Sequence, residues 1–320
     1  ALDDAAVPNH LQLGNDGLGA GNRPEKARQA AEESMDAIKE MLNDGTRMVF
    51  ITAGMGGGTG TGAAPIIAKC AKEAGILTVG IVTIPFKFEG IKKINQALDG
   101  VEEISKHVDA LLVINNERLR EIYPELTVIN AFAKADDTLT IAAKSIAEII
   151  TMHGIMNLDF EDVTTVLKDG GVAIMSTGYG EGENRVTKAL TEALTSPLLN
   201  HNDIFNSKKV LLNINFCADD EHSSLMMEEM NEIHEFMGKF RHDVETKWGL
   251  ATDSTLGSKV KITLLATGFG LQSISGMNSH QEEKKEKLSA EDKERRETRE
   301  ELINTYYQDG NKTTKHRHNN

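Results

Sequence analysis

The apolar residues of this chain follow two rhythms, and the changes between them mark the elements. Met48–Ile51 is a short β-prone run bounded by glycines, which predicts a buried strand. Ala64–Ala74 predicts a helix, with Pro65 tolerated in its first turn and Gly75 as its stop. Leu77–Thr83 and Asp109–Ile114 predict two further strands, with a helix from Ile91 to about His107 between them. Upstream, Val7–Leu13 reads as a strand interrupted by Pro8. A helix capped by Asn22 and ended by Asp44-Gly45 follows, with Ala27, Ala31, Ser34, Ile38, Met41 and Leu42 along one face. Residues 129–152 predict a long helix striped by Phe132, Ala135, Leu139, Ala142, Ile146 and Ile149. At 1.5 Å per residue it reaches roughly 36 Å. Farther on, Val172–Thr177, Lys209–Phe216, Asp243–Trp248 and Lys259–Thr267 read as strands, and Asn184–Leu194 and Leu225–Phe240 as helices. The last two strands are joined by a turn through Thr252-Asp253-Ser254 and Gly257.

The fold class expected is α/β. A parallel sheet carries the long central helix, and a second, smaller α+β domain holds a mixed or antiparallel sheet. The divisions expected are 1–128, a central helix 129–153, 154–270, and a charged linker from 271 to 320. Gln281–Glu301 interleaves Lys and Arg with Glu and Asp and is nearly without apolar residues. Such a run cannot bury enough surface to offset its ordering entropy, so it reads as disordered or transiently helical.

The first predicted strand runs into Gly54-Met55-Gly56-Gly57-Gly58-Thr59-Gly60-Thr61-Gly62 before a helix begins. A strand, a glycine-dense loop and a helix N-terminus together cradle phosphate. Close backbone approach, unpaired N–H groups and the helix dipole all favour an anion there. The dinucleotide pattern G-x-G-x-x-G fails in every register: from Gly54, Gly56 and Gly60 the last position is Thr59, Thr61 and Pro65. The Walker pattern from Gly57 meets Ala63 where lysine is required. The loop is therefore a lysine-free phosphate loop. In parallel sheets ligands sit at the carboxyl ends of strands, where the turn Pro85–Gly90 also falls. Glu89 in that turn reads equally as a ribose acceptor or as a solvated carboxylate.

Composition narrows the classes. The 320 residues carry a net charge of −14, against a general nucleic-acid binder. Cys70 and Cys217 lie in apolar segments and read as core residues in a reducing compartment, not as a disulfide or metal pair. No stretch approaches the ~20 apolar residues of a membrane span, and no signal peptide is visible. The chain starts at Ala1 without methionine, as a fragment would. His222, His234 and His242 are scattered and read as surface positions; no metal-ligand spacing is present.

Phe132 and Asp137, at the start of the long helix, lie about 140° apart around its axis at ~100° per residue. A ring can stack on a purine, and one carboxylate can accept both N1–H and N2–H₂ of guanine, which adenine does not offer. The alternative makes Phe132 a core residue and Asp137 a first-turn acid favoured by the dipole. Beyond the helix, Asp159 and Asp162 read as an N-cap and a first-turn acid, or as polar groups able to orient an attacking water.

The run Gly56-Gly57-Gly58-Thr59-Gly60-Thr61-Gly62, continued by Ala63-Ala64-Pro65, resembles the signature of the tubulin/FtsZ family of GTPases, and the resemblance extends to about residue 270. It implies GTP and GDP as ligands, held by Gly56, Gly57, Gly58, Thr59, Gly60, Thr61 and Gly62. It implies that the loop around Gly19, Ala20 and Gly21 closes over the terminal phosphate, and it favours Glu89 on the ribose. Lys93 stands where the family often has arginine, so a bidentate contact is lost. The segment Ala131–Asp137 is similar to the family's guanine segment and favours the base-binding reading of Phe132 and Asp137; Asp136 departs from the usual asparagine.

Ile155–Asp162 resembles the loop that enters the next subunit, which makes Asp159 and Asp162 trans-acting catalytic acids with Asn157 shaping the contact. Mg²⁺ is then held by phosphates and waters, not by a protein metal site. The resemblance further implies a head-to-tail homopolymer in the cytoplasm, at the division site at midcell. Membrane-anchor proteins would be partners of the full-length protein, with no nucleic acid and no direct membrane insertion. A nucleotide-binding structural filament without significant hydrolysis is the alternative. By the same resemblance, a strand and a first glycine-rich loop would precede Ala1, so the chain as given is expected to bind GTP weakly or not at all.

Overall fold

In a computed structural model the described residues are 6–14, 19–152, 154–195, 204–219 and 223–290. Residues 1–275 form one compact unit; a second begins at Gly276, and residues 277–290 in it are helical. The rest of the predicted charged linker, and His222, lie outside the described residues.

Eight strands make a single sheet in the order β1-β2-β3-β5-β8-β6-β7-β4. β1 (Met48–Gly54), β2 (Leu77–Ile84) and β3 (Ala110–Asn115) are parallel, with α3 (Thr59–Glu73) and α4 (Ile91–Ser105) as crossovers. β2 is buried at every position, as expected of a strand covered on both faces. The mixed part contains β5 (Gly171–Gly180), β6 (Lys209–Phe216), β7 (Glu245–Thr252) and β8 (Val260–Phe269), with short β4 (Gly154–Met156) at its margin. The two parts join where Ala110–Leu112 of β3 pairs in parallel with Gly171–Ala173 of β5.

The long helix, α6 (Val128–Thr151), closes one face. Its Ala142, Ile146 and Ile149 pack with Ile81, Leu112, Met175, Leu211 and Leu265, and with Val163 and Val166 of α7 (Phe160–Leu167). Burying a side chain such as Ile146 contributes about 2 kcal/mol. α8 (Arg185–Leu194) and α9 (Glu229–Met237) cover a second cluster through Val186, Leu190, Ile233 and Phe236.

Several boundaries differ from the expectation. Val7–Leu13 is not a strand; Pro8 has no N–H to place in a ladder. The helix expected from Asn22 to Asp44 is two, α1 (Pro24–Glu33) and α2 (Met35–Leu42). They part at Ser34, whose N–H turns back to the Ala31 carbonyl and whose hydroxyl accepts the Gly14 N–H. Asn22 does not cap α1: it sits at φ +61°, and Arg23 holds the cap position. α3 begins at Thr59 rather than Ala64, which moves Pro65 beyond the first turn. The final helix shortens to α9, because the Glu229 carboxylate takes the Met226 N–H and stops the winding upstream.

Arg185, almost fully buried, locks α8 to α9. It donates to both Glu229 oxygens, at 2.7 and 3.0 Å, and to the carbonyls of Ser223, Ser224 and Ser258. Burial pushes the Glu229 carboxyl up, but the Arg185 hydrogen bonds, the Met226 N–H and the Arg185 charge outweigh it and leave it below the ordinary carboxylate range. A depressed folded-state value contributes stability above the ordinary pKa of about 4.5, and that stability is lost as pH falls through the folded value. The unfolding midpoint should therefore drop between about pH 5 and pH 3, and Glu229→Gln should flatten part of that slope. Thermal melts of the two proteins across that range check this; parallel curves would refute it.

Candidate functional site

β1 ends at the glycine loop, and the end of that loop is itself wound into the first turn of α3. Thr59, Gly60 and Thr61 thus lie where helical N–H groups have no intrahelical partner, and Gly62 closes the first bond onto the Gly58 carbonyl. The loop is held from within and from α4. Thr61 Oγ1 accepts the Gly56 N–H at 2.9 Å. Gln96 Nε2 reaches the carbonyls of Gly56 and Gly57, at 3.0 and 3.1 Å. The Gln96 contacts occupy the Gly56 and Gly57 carbonyls on the α4 side, while the Thr61 hydroxyl takes the Gly56 N–H. Gly56 has φ +94°, and a Cβ there would lie 2.8 Å from the Lys93 carbonyl. Ala20 sits against Gly58, so the predicted Gly19-Ala20-Gly21 loop does meet the phosphate loop.

Lys93 and Glu89 are partners. Lys93 Nζ lies 2.6 Å from Glu89 Oε2, while Oε1 accepts the Phe86 N–H at 2.9 Å. Glu89 is thus an engaged group with its carboxylate mostly buried, not a solvated turn acid. The turn is also tied to α5 (Asn116–Ile122), because Glu117 accepts the Lys87 N–H and pairs with Arg120. Burial opposes ionisation of Glu117, yet Arg120 and the Lys87 N–H bring its carboxyl below the usual range.

Phe132 is not core: it is 40% exposed. It meets Phe86 edge to face at 5.2 Å and Phe88 at 6.3 Å, while Phe86 and Phe88 stack at 5.1 Å. Phe88 is 60% exposed, which offers an aromatic face beside Phe132. Asp137 is exposed, with no side-chain partner among the described residues.

Three residues here escaped the sequence reading. Gln96 and Phe88 had no local signature. Asn116 is buried, and its Oδ1 has no hydrogen-bond partner. It stands at the carboxyl end of β3, and that position was the available signal. An orphaned acceptor at a strand's carboxyl end is what a donor-bearing ligand would satisfy.

Asn157, Asp159 and Asp162 lie elsewhere. They follow the far end of α6, roughly 36 Å of helix from its first turn. They also neighbour the amino end of β1: Arg47 Nη2 binds Glu161 at 2.8 Å and its guanidinium lies 4.1 Å from the Phe160 ring centroid. The phosphate loop leaves the other end of that strand. Within one chain the two sets do not meet. Asp159 Oδ1 accepts the Asp162 N–H at 2.9 Å and Asp162 Oδ2 accepts the Asp159 N–H at 3.2 Å, a reciprocal cap of α7. Lys247 Nζ sits 3.0 Å from Asp162 Oδ1. Burial pushes the Asp162 carboxyl up, but Lys247 and the Asp159 N–H hold it below the usual range. Asn157 Oδ1 accepts the Gly154 N–H at 2.6 Å and so folds the turn.

Among the described residues no group of three or more His, Cys, Asp or Glu could hold a metal, and no helix is long and apolar enough to cross a membrane. Cys70 and Cys217 are buried and free.

A lysine-free glycine loop at the carboxyl end of a parallel strand, followed by a long helix that leads into a second, mixed group of strands, defines a tubulin-type nucleotide-binding protein. Residues 1–124 match the model of the Tubulin/FtsZ family GTPase domain, and residues 171–270 that of the FtsZ family C-terminal domain. The chain belongs to the FtsZ family. It is 61% identical over 275 residues to the cell division protein FtsZ of Porphyromonas gingivalis, covering 85% of this chain and 60% of that protein. With the FtsZ of Buchnera aphidicola subsp. Schizaphis graminum it shares 43% over 283 residues, 87% of this chain and 72% of the other. The chain thus spans under two thirds of the first relative's length. Among solved structures, an empty FtsZ dimer of M. jannaschii superposes with a TM-score of 0.70 at 40% identity, over 79% of this chain and 72% of that one. CetZ1 of Haloferax volcanii, a GDP-bound monomer, shares the fold at TM-score 0.69 and 20% identity, over 84% of this chain and 80% of that one.

Proposed function

We propose that the protein binds and hydrolyses GTP and assembles head to tail into filaments of the division ring, with each active site completed between two subunits. The observation that carries this is the placement of two half-sites at opposite ends of β1: the glycine loop at one, the Asp159–Asp162 turn beside the other. Stacking copies along that direction would bring the turn of one onto the loop of the next. The relatives' printed names, cell division proteins and an FtsZ dimer, agree with self-association in division.

In this reading the phosphates lie on N–H groups of Gly57–Thr61, with Gly56 and Gly62 shaping the loop, and Gly19-Ala20-Gly21 closes over the last of them. Lys93 and Glu89 face the ribose, and the base lies on Phe132 with Asp137 accepting its two donors. Asp159 and Asp162 of the neighbouring subunit orient the attacking water in line, and Asn157 keeps their turn in shape. Mg²⁺ on phosphate and water oxygens would offset the repulsion between these acids and the nucleotide. Location at midcell in the cytoplasm, and recruitment of membrane-anchor proteins by the full-length protein, follow from the same assignment.

One observation favours the alternative of a filament without significant hydrolysis. Both acids already serve as the cap of α7, and Asp162 is also paired with Lys247. Concentration dependence tests the shared site. GTP turnover per molecule of full-length protein should rise steeply with protein concentration and then level off. A constant rate per molecule down to strictly monomeric protein would end the proposal.

A further inference from the structure

The turn that carries Asn157, Asp159 and Asp162 is seated along β7. Gly154 pairs with Ala251 and Met156 with Leu250. Leu158 lies where a Cβ on Gly249 would come within 2.8 Å of it. Two residues back along β7, Lys247 extends to Asp162 at 3.0 Å, with its side chain 36% exposed and that of Asp162 26%. This pair is thus partly withdrawn from water, where a fixed cation acts more strongly than at an open surface. Asp162 is engaged at both oxygens: Oδ1 faces Lys247 and Oδ2 holds the Asp159 N–H. Asp159 gives only Oδ1 to the cap, and its second oxygen has no hydrogen bond from a described residue.

This asymmetry separates two roles that the sequence reading had left joined. We propose that Lys247 is a positioning residue for the trans-acting acids: it pins Asp162 as the fixed member of the pair, so that Asp159 presents its open oxygen to the water beside the neighbour's terminal phosphate. The inference rests on the shared-site reading above. Without the cation, two carboxylates three residues apart would meet a polyanion with no protein cation beside Asp162. Asp162 would then be drawn toward its protonated form, and the N–H it accepts from Asp159 would slacken. The charged groups around Lys247 are Asp162, Asp159 and Glu245; on α7, Glu161 is balanced by Arg47.

The test uses full-length protein carrying Lys247→Met, Lys247→Arg or Asp159→Ala, with GTP as the probe. Nucleotide affinity is measured on monomer, polymer mass by sedimentation, and turnover per polymerised subunit from pH 3.5 to 8. For Lys247→Met, turnover should fall about tenfold at unchanged monomer affinity. Its acid limb should move up, since removing the opposite charge lets burial raise the Asp162 carboxyl. Lys247→Arg should restore most of the rate. Wild-type turnover with an unmoved acid limb in Lys247→Met would overturn the proposal. So would an equal loss in both Lys247 variants with no change in the pH profile, which would mark a merely structural role. If Asp159→Ala abolishes turnover while Lys247→Met does not reduce it, only the Lys247 inference fails; if Asp159→Ala also turns over normally, the shared site falls and this inference with it.

Discussion

Replacing Asp159 by alanine should reduce GTP turnover at least a hundredfold in full-length protein and leave nucleotide binding by the monomer within about twofold, the loss typical of removing a positioned catalytic group. The expectation follows from where Asp159 lies. It is exposed, it neighbours the amino end of β1, and the glycine loop leaves the carboxyl end, so it cannot touch nucleotide held by its own chain. Asp159 is also the N-cap of α7, and losing that cap costs about 1 kcal/mol. Asp159→Asn retains an acceptor for the Asp162 N–H and removes the charge, so it separates the two roles. Turnover lost in both variants, with polymer still formed, supports the trans-acting acid. Turnover retained in Asp159→Asn would reduce the residue to a helix cap and favour the non-hydrolysing filament.

Gly62→Ala should be the most damaging conservative change in the nucleotide half. A Cβ at Gly62 would lie 2.0 Å from the Pro24 carbonyl oxygen and 3.0 Å from the Arg28 nitrogen. Those are backbone atoms of α1, which no side-chain rotation can move aside. α1 must therefore back away from α3, where Ala27, Ala31, Ala63 and Ile66 form a small cluster. Overpacking of this kind costs about 1–3 kcal/mol and more where backbone must shift. The same displacement carries Gly19-Ala20-Gly21 off the phosphate loop, so a loss of at least tenfold in nucleotide affinity should accompany the lower melting point. Gly57→Ala is the control for stability: a Cβ there meets no protein atom within 4 Å. Equal melting points of the two variants would refute this account.

Much of this was visible in the residues. The strand, glycine loop and helix could be read directly because glycine density, a preceding strand and a following helix are local features. The apolar stripe of α6 was legible for the same reason, since its period follows from helix geometry. Even there, tertiary contact moved the details. Phe132 belongs to the stripe by spacing, yet it is exposed beside Phe88 because β3 and β5 are covered farther along, by Ala142, Ile146 and Ile149. Glu89 could be read as acceptor or solvated acid; its pairing with Lys93 and with the Phe86 N–H makes it a fixed part of the turn.

The chain alone settled its family, its strand–glycine loop–helix unit and the order of its longer elements, because each is encoded by neighbours in sequence or by a fixed period. The assembled fold decided three other things. It joined both groups of strands into one sheet through β3 and β5, set the acids and the glycine loop at opposite ends of β1, and brought Lys247 to Asp162. Those depend on residues 61 to 114 positions apart, or on strand pairings chosen by burial over the whole core, and no local rule of spacing reaches that far.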